Sequence, residues 1–161
     1  MIRLASAVLA IGLLAGCVQP IQPYNLGHFP ALEYDALKRE GTGTVTGQLF
    51  LKTVGGDVKF GAGEEVILLP VTSYSQKIEE AYNQNRPLGN MDSRLKMYNK
   101  TTQADGNGNF TFSAVPAGDY YAAGKVNWQA PTPYGLSTQG GYVMRRVSVS
   151  EGQTSKIILT K

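Results

Sequence analysis

A chain of 161 residues with fifteen Lys and Arg against twelve Asp and Glu carries a net charge of +3, too small and too scattered an excess for a nucleic-acid binder. With 17% charged residues, nineteen glycines and nine tyrosines, it fits neither a coiled coil nor a disordered chain, and its size suits one β-rich extracytoplasmic domain. A single cysteine excludes a disulfide framework, so the fold must hold by packing alone.

The first element is a leader. Met1-Ile2-Arg3 gives a positive start, Leu4 to Leu14 an apolar stretch, and Ala15-Gly16 small residues that suit a peptidase cleft. The apolar run falls short of the roughly 20 residues that a membrane-spanning helix needs. Cys17 follows at once. Leu14-Ala15-Gly16-Cys17 closely resembles a bacterial lipoprotein signal, in which the cysteine is lipidated and becomes the first residue of the mature chain. The resemblance implies cleavage between Gly16 and Cys17 and attachment to a membrane through acyl chains such as palmitate. One chain binds only marginally, so stable anchoring takes at least two. The competing reading is an ordinary secreted protein with an incidental free thiol. Val18 stands where enterobacterial lipoproteins retained at the inner membrane tend to carry aspartate, which by the same resemblance points to the outer membrane.

Residues 18–40 read as a tether, extended around Pro20, Pro23 and Pro30 and briefly helical over Ala31 to Arg39. From Gly41 the chain turns to period-two runs punctuated by glycine. In Gly43 to Thr53, Val45, Leu49 and Leu51 share one face; Thr44, Thr46, Gln48 and Lys52 share the other, which Phe50 breaks. Val66 to Val71 is a continuous apolar run, as expected of a strand covered on both sides. Ser73 then stands as an N-cap for an amphipathic helix over about 73–85, with Tyr74, Ile78, Ala81 and Tyr82 at helical spacing. Strands resume over Lys96 to Ala104, turn at Asp105-Gly106-Asn107-Gly108, and return as Asn109 to Val115 with Phe110 and Phe112 on one face. Asp119 to Gln129 is the next strand, and Ala130 to Gly141 reads as a loop. The closing hairpin pairs Tyr142 to Ser150 with Thr154 to Thr160 through Glu151-Gly152. Seven short strands with turns this frequent indicate a mainly β sandwich.

Several motifs then fall in a familiar order: Thr44-Val45-Thr46-Gly47, Ala62-Gly63 before Val66-Ile67-Leu68-Leu69, Thr102 to Phe112, Val115-Pro116-Ala117-Gly118-Asp119-Tyr120, and Val147-Ser148-Val149 before Gly152 and Ile157-Ile158-Leu159. Together, over 41–161, they resemble the carboxypeptidase regulatory-like domain. That resemblance implies a seven-stranded antiparallel prealbumin-like (transthyretin-like) sandwich acting as an accessory, structural or binding module with no catalytic residues to transfer. The Ser73 to Arg94 insertion and the Ala130 to Gly141 stretch depart from the compact pattern.

The residues themselves offer little chemistry. His28, the only histidine, lies in the tether without a triad partner at a telling spacing. Asp105, Asn107 and Asn109 alternate as in a calcium loop, but Phe110 and Pro116 stand where glycine and an acid are required, so these side chains are read as turn stabilisers. Glu64 and Glu65, and likewise Arg145 and Arg146, point to opposite sides of a strand. The glycine runs at Gly55-Gly56 and Gly61 to Gly63 lack a phosphate loop's lysine and helix. No enzyme, metal or cofactor is expected. The expectation is a membrane-anchored, non-catalytic module that partners another envelope protein. The alternative is a binder of glycan or peptidoglycan through Trp128, Tyr134, Tyr142, Tyr74 and Tyr82.

Overall fold

Strand alternation with a buried and a wet side decides most of the architecture. The computed structural model describes residues 21–161, so the leader, Gly16, Cys17 and the start of the tether lie outside the described residues. Eight strands form: β1 Gly43–Lys52, β2 Val58–Phe60, β3 Glu65–Pro70, β4 Lys100–Gln103, β5 Asn109–Val115, β6 Gly118–Thr132, β7 Gly135–Val149 and β8 Thr154–Leu159. Two α-helices, α1 Ala31–Asp35 and α2 Ser73–Asn83, and a 3₁₀ turn at Ser93–Met97 complete the set. None of the described helices is long and apolar enough to cross a membrane.

The strands build two four-stranded sheets. In the first, β1 is the spine. It pairs antiparallel with β5 from Gly43↔Val115 to Gln48↔Asn109, and parallel with β8 from Thr44↔Thr154 to Leu49↔Leu159. Its last residues take β2 antiparallel, with Phe50 opposite Phe60. The second sheet runs β4-β3-β6-β7, all antiparallel. The mainly β class holds, with two corrections to the expected seven antiparallel strands. The short β2 is an eighth strand, because the turn after Lys52 folds Val58–Phe60 back onto β1, where it borrows that strand's free backbone groups. The expected closing hairpin between Tyr142–Ser150 and Thr154–Thr160 does not form a ladder: after Glu151-Gly152 the chain crosses from the second sheet to the first, where β8 lies parallel to β1.

Two cores flank the second sheet. Between the sheets, Val45, Leu49, Val66, Leu68, Phe110, Phe112, Val115, Ala122, Val126 and Val143 form the inner core. On the far side, Leu69, Tyr121 and Met144 pack with Leu26, Phe29, Tyr34, Tyr74, Ile78 and Leu95 in an outer core beneath the helices. The apolar run in β3 is thereby explained: Val66 and Leu68 face one core and Leu69 the other, as expected of a strand covered on both sides.

Helix α2 forms where its periodicity predicts, but its cap lies one residue earlier. The Thr72 hydroxyl accepts from the Ser75 N–H at 3.1 Å, and the Thr72 N–H donates to the Ser75 hydroxyl at 2.8 Å. Ser73 instead donates its N–H and hydroxyl to Glu33 at 2.8 and 2.6 Å, tying α1 to the start of α2. Between Tyr24 and Leu37 the chain is docked rather than free, because Leu26, Phe29 and Tyr34 have apolar surface that only the helical layer can cover. Tyr24 pairs with Leu88 in an isolated bridge and donates its hydroxyl to Glu80. Arg94 lies 4.6 Å over the Phe29 ring.

Two further boundaries shift. Strand β4 begins at Lys100 because the preceding residues coil into the 3₁₀ turn, whose Asp92 cap accepts from the Arg94 N–H at 3.0 Å. The expected Ala130 to Gly141 loop is a hairpin: β6 and β7 stay paired out to Thr132↔Gly135, their backbones bonding to each other where no core lies beneath.

Tyr121, buried in the outer core, donates its hydroxyl to Glu79 at 2.6 Å. Burial, reinforced by that carboxylate, pushes its phenol from the ordinary 10.0 up to about 12. The folded chain therefore holds this proton to higher pH than the unfolded chain. Its contribution to stability is complete below pH 10 and is lost as pH rises towards 12. Urea midpoints measured from pH 8 to 12 are expected to fall across that window, and less steeply in Tyr121→Phe. Equal slopes would refute the assignment.

Candidate functional site

Beyond Val126 and Val143, the β6–β7 hairpin leaves the sandwich as an arm, in which no residue from Asn127 to Tyr142 is fully buried. Its sides differ because facing residues share a side: Trp128 stands opposite Gln139, and Tyr142 opposite Lys125. Trp128 follows Val126 onto the inner side, half-buried against the inner core. Tyr142 lies on the opposite side, 61% exposed, with the Lys125 ammonium 5.6 Å from its ring centroid. Asn127, Gln129 and Thr138 continue that side, and Gln129 donates to the Thr138 hydroxyl at 3.0 Å. Tyr134 sits fully exposed at the tip, where Thr132 closes the turn by donating to the Gly135 carbonyl at 2.7 Å. Gly140 and Gly141, with φ of +103° and +149°, let β7 bend as it enters the arm.

The five aromatics expected to bind sugar therefore do not form one platform. Tyr142 and Tyr134 are available on the arm, and Trp128 braces its other side. Tyr74 is removed from the set: it is 2% exposed, its ring is edge-on to Phe29, and its hydroxyl accepts from the Asp92 N–H at 3.0 Å. It is buried because the helix stripe it belongs to covers the second sheet. Tyr82 is half-buried on the same helix, remote in sequence from the arm, with the Lys161 ammonium 5.8 Å from its ring centroid.

The polar candidates settle as structural groups. Asp105 accepts from the N–H groups of Asn107 and Asn109, each at 2.8 Å, and from the Asn109 amide. These bonds hold its carboxyl below the usual range, the Asn109 side chain contributing most. This is the bonding of a hairpin turn. Arg146 pairs with Asp119 at 2.8 Å, while Arg145 donates to the Thr160 carbonyl at 2.8 Å, so the two arginines diverge as strand alternation requires.

One cluster escaped the sequence reading. Phe50 and Phe60 meet edge to face on the outside of the first sheet, their centroids 6.3 Å apart. The signal was Phe50 itself, an aromatic interrupting an otherwise polar strand face. Its partner lies on β2, the strand that was not foreseen.

No family model matches the chain. No curated protein matches it either. Among solved structures, the chain is similar to a Pseudomonas aeruginosa protein whose crystal structure is described as that of a "putative carbohydrate binding protein". The two share 30% sequence identity and a TM-score of 0.76, over 85% of this chain and 100% of the other. The chain belongs to the family of that protein. The match takes in the whole of the other chain. It assigns no residue a role, and the arm must be read from its own geometry.

Proposed function

We propose that the protein is a non-catalytic, lipid-anchored envelope protein that binds glycan through the β6–β7 arm. The observation that carries the reading is the exposed Tyr142 ring on a strand face shared with Lys125, Asn127, Gln129 and Thr138. A sugar offers an apolar C–H face and a rim of hydroxyls. An aromatic ring beside amides and hydroxyls on a rigid strand complements both. The carbohydrate binding named for the Pseudomonas relative supports the same reading. The ordered motifs on β4, β5 and the start of β6 support a prealbumin-like sandwich of the carboxypeptidase regulatory-like kind, with β2 as an added strand.

Binding of the wild-type protein to isolated cell-wall glycan is expected to weaken about tenfold or more in Tyr142→Ala, the loss of one stacking ring. The urea midpoint should stay unchanged, because the side chain is mostly exposed. No binding by the wild type would dispose of the arm as a glycan site. Capture of an envelope protein in its place would return the function to the protein-interaction module that the sequence also allows.

The anchor rests on Leu14-Ala15-Gly16-Cys17. Cys17→Ser is expected to move the protein from the membrane pellet to the soluble fraction with its sandwich folded. Unchanged membrane association would remove the lipid from the account.

A further inference from the structure

We infer that the outer side of the first sheet is a second binding surface, taking an acidic polysaccharide. It involves a different sheet, different residues and a different ligand class from the arm. Alternation sends Thr46, Gln48, Phe50 and Lys52 of β1 outward, and pairing sets Ile158 beside Gln48, Lys156 beside Thr46, Phe60 beside Phe50 and Val58 beside Lys52. An uncovered sheet side is ordinarily polar. This one carries the edge-to-face Phe50–Phe60 pair, with Phe60 41% and Ile158 60% exposed. Next to the rings, Thr46, Gln48, Asn109, Thr111, Lys156 and Ile158 line a shallow groove of about 510 Å³.

The groups sort by what they bind. The two phenylalanines and Ile158 suit the C–H face of a sugar ring. Gln48 donates its amide N–H to the Asn107 carbonyl at 2.9 Å, which fixes the side chain and leaves its amide oxygen to accept from a hydroxyl. Thr46 and Thr111 add hydroxyls, while the Asn109 amide N–H is held by Asp105. Charge sets the class. The outward positions of β1, β2, β5 and β8 include Lys52 and Lys156 and no Asp or Glu, and neither lysine pairs with a carboxylate among the described residues; the Asp105 carboxylate at the turn end of the groove is taken up by the Asn107 and Asn109 N–H groups and the Asn109 amide. From Thr46 to Lys52 the strand runs about 20 Å, so an extended chain lying along it meets a cation near each end and rings between. A carboxylated sugar polymer fits that order. A protein partner fits less well, because a stable interface engages roughly 20–30 residues a side, against three exposed apolar side chains and the half-buried Phe50 here.

The test is affinity electrophoresis of the detergent-solubilised full chain in gels containing polygalacturonate, with dextran as the neutral control. The wild type is expected to be retarded by polygalacturonate and not by dextran, and the retardation to fall with added salt. The Phe50→Ala/Phe60→Ala double variant should lower affinity at least tenfold. Lys52→Gln/Lys156→Gln, at exposed positions on the sheet surface, should lower it about as much and remove most of the salt dependence. Trp128 emission and the urea midpoint verify that each variant is folded. Three results would overturn the inference: no retardation by polygalacturonate, retardation by dextran to the same degree, or retardation that survives both double variants. Loss on Tyr142→Ala with retention in the double variants would also overturn it, moving acidic binding to the arm and leaving the arm's glycan reading intact. A dimer in sedimentation that both double variants dissolve would show the surface to be covered by a second copy instead.

Discussion

Tyr34→Ala is expected to lower the unfolding free energy by about 3–5 kcal/mol, the range for deleting a fully buried aromatic. The residue lies in a segment whose prolines suggest a mere tether, yet its side chain is completely enclosed. The ring stacks on Phe29 with centroids 4.4 Å apart and planes 15° apart, and meets Tyr98 at 4.9 Å. Its hydroxyl accepts from the Thr72 hydroxyl at 2.8 Å, at the cap of α2. Alanine leaves a cavity among the aromatics and strips the buried Thr72 of a partner. Tyr34→Phe keeps the packing and loses only the hydrogen bond, so about 1–2 kcal/mol is expected there. Urea unfolding followed by far-ultraviolet circular dichroism gives both values. A loss below about 1 kcal/mol in the alanine variant would show that the N-terminal segment contributes nothing to the folded body.

Gly140→Val is expected to abolish the arm while sparing the sandwich. A Cβ at residue 140 would stand 2.0 Å from the Val126 carbonyl oxygen and 3.0 Å from the Trp128 ring. The residue's φ of +103° is also one that a β-branched side chain does not adopt without strain. The ladder between Val126 and Thr132 should open, because Trp128 alone packs beneath it and the new side chain crowds that ring, whereas the fully buried inner core ends at Val126 and Val143 and stays closed. Trp128 is the only tryptophan, so its emission reports directly on the arm. A red shift in emission with far-ultraviolet dichroism largely kept, together with lost glycan retention, is the expected outcome. Wild-type emission with full glycan binding would mean that the arm does not depend on this glycine.

What was legible in the sequence follows from where one signal dominates. The doubly covered β3, the α2 stripe and the Asp105 turn each state their environment in a few adjacent residues, and each forms as read. The docking of the 18–40 segment was not legible because its prolines advertise extension. Leu26, Phe29 and Tyr34 are too widely spaced to show any period, and only the helical layer, assembled from distant residues, gives them a common destination. The arm was missed for the opposite reason. Strands that pair only with each other need no apolar alternation, so Ala130 to Gly141 looks like a loop although it is continuously bonded. Phe60 was hidden for a simpler reason: its strand is only three residues long, too short for alternation to show, and the ring pair on the first sheet went with it.

The parallel seam between β1 and β8 carries a consequence for biogenesis. The first strand to emerge from a ribosome or a translocation channel finds its neighbour on that side only when the eighth arrives, with every other strand already made. Contacts so far apart in sequence are slow to form. Until then one flank of the opening strand stays bare. Completion of the first sheet is deferred to the last strand by the order in which the strands are made.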